Sequence, residues 1–145
     1  MRKLMTLEDV TNFMKTLNSS ENWGIKNFYR GKLDNKQEKS LGIYNLKHGS
    51  YELMVGGPEN KSYEELYVSL LIHWDRSYTP CEEVSNKIYM KLVDFYKVVD
   101  GFKIGDFDVN FIEMLSGNED VGTDDKNVYE RVIEFKICYN PYVNS

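Results

Sequence analysis

From Val128 to Tyr139 the chain alternates with a period of two. Tyr129, Ile133, Phe135, Ile137 and Tyr139 share one parity, and Val128, Glu130, Val132, Glu134, Lys136 and Cys138 share the other. Such alternation puts one face of a β-strand in a core and leaves the other to water or a neighbour. Asp106 to Leu115 is a second β-rich run. Together they predict a long antiparallel hairpin whose connection, Ser116 to Asn127, is acidic and spans about twelve residues, beyond the usual two to five or so. A connection that long in a compact domain is a candidate contact element.

The helical period appears twice. Leu7, Val10, Phe13, Met14 and Leu17 recur at spacings of three and four, after a Thr6 able to cap and beside Glu8 and Asp9, which suit the positive end of a helix. Asn18-Ser19-Ser20 is expected to end this helix. Thr79-Pro80-Cys81-Glu82 reads as a second start, with Thr79 capping, Pro80 first in the helix and Glu82 closing a capping box. Its buried stripe is Val84, Ile88, Leu92 and Phe95, with Tyr89 and Val93 at the edges. Strands are expected at Ile25 to Arg30, Ser40 to Leu46, Tyr51 to Val55 and Phe102 to Ile104. Leu66 to Trp74 is nearly unbroken apolar, which marks a central strand buried on both faces. Gly56-Gly57-Pro58-Glu59-Asn60 is a turn. This order predicts one α+β domain over residues 1–145, a mixed and mainly antiparallel sheet with two helices packed on one face.

Composition narrows the function. The net charge of −5 argues against a general nucleic-acid or anionic-membrane binder, since both draw affinity from clustered cations. Lys26 to Lys39 is a local exception, with five cations against two acids. Eleven tyrosines suit core edges and protein interfaces alike. Two cysteines, Cys81 and Cys138, fit a reduced compartment better than a disulfide framework. No apolar run approaches bilayer length, and Met1-Arg2-Lys3 is not followed by a signal-type stretch. The expectation is a cytoplasmic protein.

Candidate chemistry is sparse. Gly56-Gly57 is not followed by Gly-Lys-Ser/Thr, and no Gly-x-Gly-x-x-Gly opens a helix. Ser69, His73 and Asp75 share a parity, but Ser69 and His73 in an extended strand stand roughly 13 Å apart, too far for a nucleophile and its base. His73 could serve only a nucleophile from elsewhere, Cys81 or Cys138, and reads more simply as a strand histidine bonded locally. Zinc spacings are missing. Glu119 to Asp125 has oxygens for a cation but lacks the Asp-x-Asp-x-Asp-Gly order of an EF-hand, so it reads as an exposed turn or a surface for a basic partner.

Several stretches run in an order found elsewhere: Tyr29-Arg30-Gly31-Lys32-Leu33-Asp34, Lys39-Ser40-Leu41-Gly42-Ile43-Tyr44, Gly56 to Tyr63, Ser69-Leu70-Leu71-Ile72-His73-Trp74, Val121-Gly122-Thr123-Asp124-Asp125, and Tyr129 to Phe135. With them the chain resembles the small phage proteins called minor capsid proteins, which look like tail terminators (tail completion proteins) of long-tailed phages and prophages of Gram-positive bacteria. The resemblance implies a structural virion protein at the tail–neck junction, made in the host cytoplasm, with no catalysis and no cofactor. It implies a homohexameric ring that caps the tail tube, stops its polymerisation and meets the head connector, with DNA passing through unbound. A neck or head–tail connector protein is the near alternative, and a small enzyme or ligand-binding domain a more distant one. Loop position makes Asp120, Thr123, Asp124, Asp125, Glu130 and Arg131 candidate interface residues, with Arg30, Lys32 and Asp34 as a surface of opposite charge.

Overall fold

The computed structural model describes residues 1–31, 37–46, 62–97 and 101–143. Helix α1 (Leu7–Glu21) is followed by strands β1 (Asn27–Arg30), β2 (Ser40–Asn45) and β3 (Glu64–His73). Helix α2 (Tyr78–Val93) leads to β4 (Phe102–Ile104), β5 (Phe107–Met114), β6 (Glu119–Thr123) and β7 (Tyr129–Tyr139). The strands form one sheet in the order β1-β2-β3-β7-β5-β4, with β6 also on β7. Only β1 and β2 run parallel; every other described pairing is antiparallel. This is the expected α+β domain. The expected strand at Tyr51 to Val55, the turn at Gly56 to Asn60, and the candidate residues Lys32 and Asp34 lie outside the described residues.

Thr6 caps α1 as its position suggests: its hydroxyl accepts from the Asp9 N–H, and the Asp9 carboxylate accepts from the Thr6 N–H at 2.9 Å. The helix runs past Asn18 to Glu21 and stops at Asn22, whose φ of 57° is left-handed. Asn18 instead pins the exit, its side chain giving and taking one hydrogen bond each with the Ile25 backbone, both at 3.0 Å. The start of α2 differs from expectation. Ser77 occupies the cap without a side-chain bond, and Pro80 lies inside the first turn. The Asp75 carboxylate accepts from the Ser77 N–H at 2.8 Å, so a turn ahead of the helix sets its start and the Thr79–Glu82 box is not used.

One core joins both helices to one side of the sheet. Val10, Met14 and Leu17 of α1 and Val84, Ile88 and Leu92 of α2 meet Leu41, Ile43, Val68, Leu70, Ile72, Ile112, Ile133, Phe135 and Ile137. Phe95 lies just beyond α2 and closes the core's edge in a ring cluster with Phe13 and Phe102, its centroid 5.4 and 4.5 Å from theirs. The strand expected to be buried on both faces is central, but only Val68, Leu70, Ile72 and His73 are fully buried; Glu65, Leu66, Tyr67, Ser69 and Leu71 are half-covered. On that second face Gly42 leaves room for a close neighbour, because a Cβ there would stand 2.8 Å from the Tyr44 ring and displace it.

The long connection of the expected hairpin contains a five-residue strand, Glu119–Thr123. β5 pairs with the distal half of β7, and β6 takes up the same edge of β7 after a break at 115–118. The two behave as one strand interrupted where Leu115 and Ser116 both donate to the Glu134 carbonyl. The true turn is the short Asp124–Val128.

Candidate interaction surfaces

Asp124 organises that turn. One carboxylate oxygen accepts from the N–H of Lys126 at 2.8 Å and of Val128 at 3.0 Å, while the Asp124 N–H donates to the Val128 carbonyl. This satisfies backbone donors that a sharp reversal would leave open. Its other oxygen stands 3.4 Å from His73 Nε2. Glu130, beside His73 across the β3–β7 ladder, brings a carboxylate to 3.6 Å from Nδ1. His73 has no exposed surface. Burial pushes its pKa below the ordinary value, outweighing the carboxylates of Asp124 and Glu38. Burial, then the charge of Asp124, raises Glu130. For Asp124 burial is the largest influence and acts upward, but the turn amides of Val128 and Lys126 with the charges of His73 and Lys126 hold it below the usual range.

Arg131 shares the inward parity of β7 and is buried. Its Nε donates to the Asn118 side chain at 2.7 Å and its Nη2 to the Asn118 carbonyl at 3.0 Å, fastening the break between β5 and β6. Its remaining nitrogen, without a hydrogen bond, stands 4.0 Å from a Glu82 oxygen on α2. Three of the candidate interface residues therefore serve the chain's own interior: Arg131 entirely, Asp124 and Glu130 in large part. A strand's inward parity extends to a charged residue when a neighbouring break offers acceptors, a signal carried by no residue type.

Glu119, Asp120, Thr123 and Asp125 are exposed. Gly122, with φ of 90°, makes a bulge in β6 that leaves Val121 half exposed. Arg30 is exposed at the end of β1, its guanidinium 3.7 Å from Glu8, a pair open to water on both sides. The basic and acidic candidates thus occupy opposite sides of the sheet: β1 ends it on one side, and β6 lies beyond β7 on the other.

One apolar surface escaped the sequence reading. Tyr89, Val93, Tyr96 and Met114 line a groove of about 540 Å³ between the end of α2 and β5. Met90 and Leu115 are exposed as well. The signal lay in Tyr89 and Val93, apolar residues at the edges of the buried stripe of α2. The thiols are poor nucleophiles: burial pushes Cys81 up to about 11 and raises Cys138 as well. Among the described residues no cluster of three or more His, Cys, Asp or Glu could hold a metal, and no helix is long and apolar enough to cross a membrane. Compared with known proteins, the chain matches no family model and no curated sequence.

Proposed function

We propose that this chain is a structural subunit of a phage or prophage tail, a terminator that assembles as a ring on the end of the tail tube. There it stops tube growth and presents its far side to the head or neck. The observation that carries the reading is the placement of two oppositely charged, exposed surfaces on opposite sides of one sheet, Arg30 with Lys26 on β1's side and Glu119, Asp120 and Asp125 on β6's. A ring of identical copies needs two different, complementary faces, because a heterologous contact repeated by rotation closes on itself. The ordered resemblance to tail terminators points the same way. A net charge of −5 suits a passage through which DNA slides without being held.

Negative-stain images of the purified protein, mixed in turn with tail tubes and with portal complexes, test the proposal. Rings seated on tube ends, with tubes that no longer elongate, are expected. Rings that bind portal complexes and ignore tubes would assign a connector role instead. A protein that joins neither is not a tail or neck component.

A further inference from the structure

Among the described residues, rungs of the sheet can be followed from β1 to β6. Phe28 of β1 is level with Leu41, Ile72, Arg131 and, on β6, Asp120. Asn27 is level with Ser40, His73, Glu130 and Gly122. So β1 and β6 sit at the same height with three strands between them. They are nearly matched in length, four residues against five. Each has one side paired and the other carrying no strand among the described residues. β6 packs against β7 alone, and β1 against β2 and α1.

We infer that copies of this chain join edge to edge, β1 of one against β6 of the next, so that the sheet continues from subunit to subunit. Three observations select a second copy as the occupant of each edge. The first is direction. β1 runs with β2, against β3 and with β7, and β6 runs against β7. With β1 and β6 opposed in sense, a copy that continues the sheet beyond β1 brings its β6 antiparallel to β1, the stronger pairing. The second is level, since edges at one height join without an axial step, as a closed ring requires. The third is charge. Lys26 and Arg30, the latter 3.7 Å from Glu8, flank one edge; Glu119 and Asp120 lie on the other and form no ion pair among the described residues. Like edges repel and unlike edges attract, which admits the heterologous contact and rejects the symmetric one.

This inference rests on the ring reading, and mixed cross-linking separates the two. Chains carrying Tyr29→Cys and chains carrying Val121→Cys are mixed, assembled and treated with a short bis-maleimide; the native thiols are buried. The mixture is expected to give covalent dimers at least tenfold above either variant alone, and a chain with both changes a ladder ending at the ring. Lys26→Cys, on an exposed residue, replaces Tyr29→Cys should the latter fail to fold. Native mass spectrometry and images of tube ends report assembly independently. Rings without the mixed cross-link, or with equal cross-linking of single variants, overturn the edge contact and leave the ring. Absence of any assembly, free or on tubes, overturns both.

Discussion

His73 faces carboxylates on both ring nitrogens yet has no surface in contact with water. Its proton affinity therefore reports whether the Asp124 turn is seated. Because the native pKa is lowered from 6.5, the unfolded chain takes up the His73 proton before the folded one does. The stability this contributes is complete above that value and is lost as pH falls through it towards the native pKa. Glu130, raised from 4.5, acts oppositely: its protonation relieves the folded state and softens the loss at more acid pH. Urea unfolding measured from pH 7.5 downward should show a decline that His73→Gln removes above the carboxylate range; an unchanged slope in the variant would separate His73 from the effect. Arg131 makes a second residue-scale case. Removing it leaves the Asn118 acceptors and Glu82 without their donor, so Arg131→Ala should cost about 2 kcal/mol in chemical unfolding. Conservative loss of surface charge, as in Asp125→Asn, should fall within about 0.5 kcal/mol.

At the scale of elements, the hairpin built from β5, β6 and β7 was legible in its alternation but not in its middle. Val128 to Tyr139 carries a period of two that no helix shares, and Ile133, Phe135, Ile137 and Tyr139 are buried as the parity names them, joined by Arg131 and Cys138. Glu119 to Thr123 carries no such period. Only Val121 is apolar, the bulge at Gly122 shifts the register, and the segment is strand because β7 offers it a free edge. Tertiary pairing of this kind overrides local propensity. The start of α2 was misplaced for a related reason, since the turn at Asp75 captures the chain before Thr79 can. The candidate site divides the same way: exposure of Asp120 and Asp125 followed from loop composition, whereas burial of Arg131 depended on where the strand broke. The turn itself gives a test. Asp124→Ala removes an acceptor for two backbone N–H groups and the partner of His73, and should destabilise by about 1–3 kcal/mol. Amide exchange at Lys126 and Val128 should rise well before exchange in β3. Gly122→Val, forced to φ of 90°, should loosen β6 without reaching the helices.

At the scale of the whole molecule, the covered face of the sheet holds the core and the edges hold the charge. An edge strand left open invites aggregation, and the usual remedy is charge of either sign. Here Lys26 and Arg30 lie near β1, with Glu8 beside Arg30, and Glu119 and Asp120 on β6, so under the proposed contact the remedy against self-pairing is also an attraction between unlike edges. That attraction acts between exposed groups and is screened over roughly 8 Å at physiological salt. Assembly should therefore weaken as salt rises, faster than apolar contacts alone would allow. Charge exchange makes the argument specific. Asp120→Lys puts a cation on the rung of Phe28, diagonal to Arg30 of the neighbouring copy, and should raise the concentration for half-assembly about tenfold, read by sedimentation. Arg30→Glu should do the same from the other side. Placed in one chain, the two changes restore opposite signs across the contact, and assembly should return to near the original concentration with each copy still folded. If the losses instead add, the two residues do not face one another and the charged edges serve only to keep single chains apart.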